Sequence, residues 1–528
     1  MKQSLLKSKK NTSLILSTFV GINIFTSILI WISGIGTKSQ YIYNIMITIF
    51  VWFLYLSSSQ TFKEKCYTSI IKMQGIIKHI KPIDCIRIIS GSFLIIWVIK
   101  FFHDYNTFNI PTWDAGIYSN IVFNSSIGKF FYSSVLEKNH LGEHFSPIMA
   151  LLIPLYWIKA DIRWILVIQA LAYCIIPIII YRLCNVYTNN INLKLFISIF
   201  LSIAWFLYTP MRSAMDFSGH PSSFVGPLIL MAFIFLEEKR YLKLFITLAL
   251  LLLFKENTMF ITIGFGMYLI CKYKKVKTGI AFIAAGMILI IILVQIIIPF
   301  FSIDGYQKLE RLGLFYDYKS KLIYIFKLFL PVFFLPIIFW RYGVITLPAI
   351  LQNLIVNFEP MYSSNYHYDD LTSPLIFSCL PGIIICELIP FMRNINFEYS
   401  KLLLIPLFTF LLFLAKPSPL QKVWAEPITH IHTELNEDII NLISSFKTNK
   451  IYLQSPLFPH VNKRSTQDFK FCNERVKFKK NTVIAIAPNA GLSHFNIKNL
   501  DQCLSDLKSD NNLKEIKGFK QLSIFQVK

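Results

Sequence analysis

The stretch FSPIMALLIPLYWI, residues 145–158, decides how the whole chain is threaded through a bilayer. Read as a crossing, it would invert every later loop. Read as a short helix lying on or dipping into the outer interface, it leaves a consistent topology. The basic segments arbitrate. With an odd number of spans and the amino terminus in the cytoplasm, MKQSLLKSKK (1–10), the linker with Lys63, Lys65, Lys72, Lys78 and Lys81, EEKRY (237–241), KYKKVK (272–277) and RNINFEYSK (393–401) all fall inside, as the positive-inside rule requires.

Composition agrees with a membrane protein. Of 528 residues 54% are hydrophobic and only 15% charged, outside the balance of a soluble globular chain. The net charge of +23 lies in short clusters between apolar runs, which is a topology signal and not a nucleic-acid footprint. The run from Ser13 to Ser33 is too long for a secretory signal and lacks a small-residue cleavage site, so it reads as an uncleaved first span.

Counting about 20 residues per crossing, and fewer where Lys, Arg, Trp and Tyr reach the interface, gives about thirteen spans. They are 13–33, 41–58, 86–102, 163–181, 194–209, 222–236, 241–254, 258–271, 278–300, 322–339, 343–356, 374–392 and 401–415. The loops 103–162, 210–221, 301–320 and 357–373, and the tail from Lys416, then lie outside. In the tail, IYLQSPLF, TVIAIAP and QLSIFQV read as strands, and NEDIINLISSF and NLDQCLSDLK as helices. The expected architecture is an all-α polytopic membrane protein with a small C-terminal α/β domain on the outer face. Its parts are 1–85 (N-terminal spans and basic linker), 86–415 (membrane core with the long first outer loop 103–162) and 416–528. Seven cysteines sit in or beside apolar segments without metal-ligand spacing. Cys472 and Cys503 are in the tail and would pair if it faces an oxidising compartment.

Polar residues cluster on the predicted outer side, and a charge in so apolar a chain costs about 3 kcal/mol to insert, which makes each a functional candidate. In PTWDAGIYSN (111–120), Asp114 precedes an amphipathic segment and reads either as a helix cap or as a catalytic carboxylate. In NHLGEHFSP, His140 and His144 are four apart, with Glu143 between; on a helix they would share a face, suited to a divalent metal, to an anionic phosphate with Lys138, or to neither. MRSAMDFSGHP (211–221) carries Arg212, Asp216 and His220. The KEN motif brings Lys255 and Glu256 to two helix ends, and SSNYHYDDLTSP (363–374) carries His367, Tyr368, Asp369 and Asp370.

The order WDAGIY, NHLGEHFSPIMALLIPLYWI, QALAYCIIPIIIYRL, DFSGHP, KEN and NYHY resembles a prokaryotic family of uncharacterised membrane proteins known as a domain of unknown function. That family is similar to the GT-C glycosyltransferases, such as protein O-mannosyltransferases and aminoarabinose transferases. The resemblance covers roughly 86–415, and SPLFPHVNKR (455–464) looks like the family's outer domain. It implies a GT-C-like enzyme moving a sugar from a polyprenyl phosphate donor to an extracytoplasmic acceptor, with Asp114 as general base or as the group that orients the acceptor nucleophile. Arg212, Lys255 or His220 would hold the lipid phosphate, and His140, Glu143, His144, Asp216, Glu256, His367 and Tyr368 would line the substrate site. The acid that commonly follows the catalytic one in that superfamily is absent, since Ala115 stands there. Rival readings are a lipid or polysaccharide transporter or flippase, which would carry polar residues through the midplane, and a non-enzymatic scaffold acting through its tail.

Overall fold

The computed structural model describes residues 81–217, 219–302, 306, 310–313, 316–394, 416–446, 450–461, 466–469, 480–488 and 500–528. The expected spans 13–33, 41–58 and 401–415, the linker lysines before Lys81 and Cys472 lie outside them. The membrane part comprises α1 (Pro82–Asn106), α2 (Ile117–Ser126), α3 (Pro147–Ile158), α4 (Arg163–Tyr187), α5 (Ile191–Leu207), α6 (Thr209–Asp216), α7 (Gly226–Glu237), α8 (Tyr241–Leu251), α9 (Met259–Tyr273), α10 (Val276–Phe301), α11 (Tyr318–Phe329), α12 (Leu347–Leu354) and α13 (His367–Phe391). A two-stranded ribbon, β1 (Tyr132–Ser133) and β2 (Lys138–Asn139), sits in the first long loop.

Among the described residues four helices, α1, α4, α10 and α13, are long and apolar enough to cross a membrane, or five if α5 and α6 form one bent span. The expected crossings at 222–236, 241–254, 258–271, 322–339 and 343–356 are helical but shorter than the roughly 20 residues a straight crossing takes. The one at 322–339 is broken. Pro331 and Pro336 interrupt it, with Phe333 and Phe334 both left-handed at φ 54°, because a proline removes a helix donor and clashes with the preceding turn. The stretch FSPIMALLIPLYWI forms α3, a short helix whose Met149, Leu152 and Tyr156 are buried while Leu151, Trp157 and Ile158 project outward.

Lipid is as apolar as leucine, so these helices are held by close packing and internal hydrogen bonds and not by hydrophobic burial. Trp205 of α5 donates its indole N–H to the Tyr173 carbonyl of α4 at 3.1 Å and meets Phe377 of α13 edge-on. Between α5 and α6 the axis turns by 53°. Tyr208 is extended at the break, Pro210 follows, and the Tyr208 hydroxyl donates to the Leu328 carbonyl at 2.7 Å. The turn sends α6, with Arg212 and Asp216, towards the end of α1.

The C-terminal part begins with α14 (Pro419–Ala425) and α15 (His430–Ser445) and continues as a five-stranded sheet with α16 (Leu500–Ser509). Its strands are β3 (Ile451–Gln454), β4 (Thr466–Phe469), β5 (Val483–Ile486), β6 (Leu513–Ile516) and β7 (Ser523–Val527), in the order β4-β3-β5-β7-β6. β3 runs parallel to β4 and β5, and β7 antiparallel to β5 and β6. Ile451, Leu453, Val483 and Ala485 pack with Leu435, Ile439 and Leu442 of α15; Tyr452, Ile484 and Ile486 pack with Cys503 and Leu507 of α16. Strands covered on both faces read as continuous apolar runs, which is why IYLQ and VIAI were legible. TQDF and LKEI, missed in the sequence, form the polar edge strands. Asp438 of α15 fastens the last turn by accepting from the amides of Gln521 and Leu522 at 2.6 and 3.0 Å. Cys503 is disulfide-bonded.

This domain is joined to the membrane part by His460, whose buried ring stacks between Tyr105 and Phe108, both at 4.1 Å. Burial pushes its pKa down to about 3, only partly opposed by Asp161. An unfolded imidazole titrates near 6.5, so between those values the unfolded chain binds the extra proton. Stability is therefore constant above about pH 6.5 and falls as pH drops towards 3, by about 2 kcal/mol at pH 5 from this residue. Thermal unfolding of detergent-solubilised protein from pH 8 to pH 4 should show a steeper acid loss in the wild type than in His460→Gln; parallel curves would refute the assignment.

Candidate functional site

Asp114 lies on a distorted turn, Thr112–Gly116, ahead of α2. Trp113 is extended, and Asp114 has φ 59° and ψ −90°, a setting that costs a non-glycine residue about 1–3 kcal/mol and persists only when its surroundings impose it. Two neighbours do so. The Thr112 amide donates to Ser455 Oγ at 3.0 Å, and Thr112 Oγ1 donates to the Ser455 carbonyl at 3.0 Å. On another side Gly219 packs against Ala115 so closely that a Cβ would lie 2.7 Å from the Ala115 Cβ; Gly219 itself has φ 72°, and its amide donates to the buried Gln169 at 2.7 Å. Gly219→Ala should thus lower stability by about 1–3 kcal/mol, seen as a fall in Tm; an unchanged Tm would contradict the packing. The capping reading of Asp114 does not hold. The residue before α2 is Gly116, and no side-chain cap is made there.

Behind the turn stands the buried Tyr118. Its phenol is pushed well up in pKa by burial, then by the carboxylates of Asp114 and Glu256, so both acids lie within electrostatic reach of it. Glu256, in the KEN turn between α8 and α9, gathers two distant segments. Its Oε1 meets His144 Nδ1 at 2.7 Å and accepts from Tyr306 at 3.1 Å, and its Oε2 accepts from the Phe145 amide at 3.2 Å. Lys255 is buried just before it, its carbonyl accepting from Thr258. Although Ala115 follows Asp114, a second carboxylate reaches the neighbourhood from a distant loop.

His140 and His144 sit on one short turn and not on a regular helix, the His144 amide donating to the His140 carbonyl at 2.9 Å. His140 opens a short 3-10 turn, its ring edge-on to Tyr118 at 5.0 Å and 6.1 Å from that of His144. Glu143 pairs instead with Lys138 at 2.9 Å. No group of three or more His, Cys, Asp or Glu side chains among the described residues is arranged to hold a metal ion.

A cavity of about 490 Å³ opens between the ends of α1 and α6 and the start of the C-terminal part, with Pro111 and Phe217 on its wall. Its lining includes Lys100, Arg212, Lys416 and Lys422 against Asp104 and Asp216, leaving positive charge in excess. Lys100 lies 2.8 Å from Asp104 and 3.5 Å from Asp216; Arg212 lies 3.5 Å and Lys416 4.0 Å from Asp216; Lys422 lies 3.4 Å from Asp104. The Arg212 guanidinium covers the Trp97 ring at 4.7 Å. An off-balance cluster of this kind, partly dehydrated, suits an anion carrying more than one charge.

A family profile described as "Predicted membrane protein (DUF2079)" matches residues 104–499. The chain belongs to that family. Among solved structures, this DUF2079 protein is similar to ArnT from Cupriavidus metallidurans bound to undecaprenyl phosphate, with a TM-score of 0.53 and 10% identity, over 84% of this chain and 98% of that one. The likeness is one of fold: a mostly helical membrane protein with a small sheet region at its C-terminal end. No curated protein matches the sequence.

The remaining sequence candidates of the DUF2079 chain fall into a third, buried group. His220 bonds to Asp370, which also accepts from Ser222 at 3.1 Å. His367 packs on His220 at 4.1 Å and on Tyr368 at 4.2 Å, and Phe217, on the cavity wall, packs on His367 at 5.0 Å. Tyr368 lies within electrostatic reach of Asp114 and Arg311. The wall running from Phe217 through His367 to Tyr368 thus links the cavity to the Asp114 turn. Arg212 and Asp216 meet in the cavity, Glu256 and His144 meet beside Tyr118, and His220 is a buried support. Lys100, Asp104, Lys416 and Lys422 were missed as site residues. A lysine and an aspartate four residues apart at the end of an apolar span are a legible signal for the first two.

Proposed function

We propose that this protein is a GT-C-like glycosyltransferase that moves a sugar from a polyprenyl phosphate donor to a hydroxyl acceptor on the extracytoplasmic side. The reading rests on one juxtaposition: a half-buried carboxylate on an imposed, strained turn, and, reached from that turn through Pro111 at its start, a cavity whose lining has an excess of positive charge. Asp114 accepts the proton of the acceptor hydroxyl as its oxygen bonds to the anomeric carbon. The bond from that carbon to the phosphate oxygen breaks, and its electron pair leaves with the lipid phosphate. The phosphodiester donor carries one negative charge; the departing monoester carries close to two at neutral pH. Lys100, Arg212, Lys416 and Lys422 offset that gain where it develops. Glu256 holds His144 and Tyr306 around the turn, and Tyr368 and His367 form the wall between turn and cavity.

The test is reconstitution in lipid with radiolabelled sugars on polyprenyl phosphate and a panel of envelope glycans and lipids. Free polyprenyl phosphate and a labelled acceptor are expected together. A donor carried across the bilayer with its sugar–phosphate bond intact would replace the enzyme reading with the transporter one.

A further inference from the structure

In doubly wound α/β sheets ligands bind in the crevice outside the carboxyl ends of the parallel strands. The chain leaving the carboxyl end of β3 meets the Asp114 turn. Ser455 receives the two Thr112 hydrogen bonds, both between buried groups. Phe458, fully buried, lies so close to Gly116 that a Cβ there would be 3.1 Å from its ring. Gln454, at the end of β3, accepts from the Ala487 amide beyond β5 at 3.0 Å and stiffens the same edge. A second tie, Lys450 to Glu137 at 2.7 Å, joins the beginning of β3 to the ribbon loop.

A backbone at φ 59° and ψ −90° relaxes unless something holds it, and the amide just ahead of it is held by a residue of the C-terminal domain. We infer that Ser455 and Phe458 are positioning residues for Asp114: the C-terminal domain clamps the Thr112–Gly116 turn from the carboxyl edge of its sheet and thereby orients the reactive carboxylate. The domain is a part of the active-site framework and not an independent module. This rests on the glycosyltransferase reading only for its catalytic consequence, since the clamp can be measured without turnover.

The experiment uses full-length protein in nanodiscs. Hydrogen exchange followed by mass spectrometry should show the peptide spanning 111–120 exchanging roughly three- to tenfold faster in Ser455→Ala, the loss of one buried hydrogen bond. The β5 peptide should be unchanged, and Ser455→Thr, which keeps the acceptor, should exchange at the wild-type rate. Phe458→Leu, retaining an apolar contact, provides a second probe should the alanine variant fold poorly. In the transfer assay Ser455→Ala should lower kcat by roughly the same factor at an unchanged KM for the lipid donor, with Ser455→Thr restoring it. Unchanged exchange across 111–120 in both folded variants would overturn the clamp, and faster exchange with an unchanged kcat would overturn the positioning role. If the wild type transfers no sugar, the function reading fails while the exchange result still decides whether the turn is clamped.

Discussion

Asp114→Asn is expected to reduce sugar transfer by about 10²–10⁴-fold, the usual contribution of a positioned general base, while membrane insertion, Tm and donor binding stay as in the wild type. Asparagine is the sharpest substitution available at this position. It matches aspartate in shape and, like aspartate, tolerates a positive φ better than other residues, so the turn held by Ser455 and Gly219 keeps its form and only proton acceptance is lost. The measurement is single-turnover transfer from a saturating polyprenyl phosphate donor. Activity within threefold of the wild type would show that the carboxylate is not the base, and Glu256 would then be the next acid to replace.

Arg212→Gln should act on the other half of the reaction. A charge-assisted hydrogen bond contributes about 1.5–3 kcal/mol, so losing it should weaken lipid binding by roughly 10- to 100-fold, read as a higher KM for the donor and a smaller thermal shift with polyprenyl phosphate. The fold should tolerate the change. Asp216 keeps Lys100 at 3.5 Å and Lys416 at 4.0 Å, so no buried carboxylate is stranded, and glutamine can still cover part of the Trp97 ring. An unchanged donor affinity would remove the cavity from the donor site.

Much of the candidate site was legible because charge is rare in this chain. Asp114, Arg212, Asp216 and Glu256 stood out in apolar surroundings, and the order of the loops pointed to a common end of the helix bundle. Their grouping was not legible. His140 and His144, paired by spacing, keep their rings 6.1 Å apart, but on a single short turn and not on a helix, and Glu256 takes the second ring. His220, grouped with Arg212 by sequence, turns instead to Asp370, 150 residues away. Spacing arguments assume a regular helix, and in both cases the backbone is not one.

By itself the sequence determined the apolar helices, the short helix at 147–158, the two double-covered strands of the tail and the positions of the acids, because hydropathy period, proline breaks and the cost of inserting charge are local properties. Only the tertiary structure decided what surrounds Asp114. Thr112 and Ser455 are 343 residues apart, and Glu256 lies more than a hundred residues from His144. A hydrogen bond between such positions leaves no periodic trace in either segment, since each partner is selected by where the completed packing brings it and not by its neighbours along the chain.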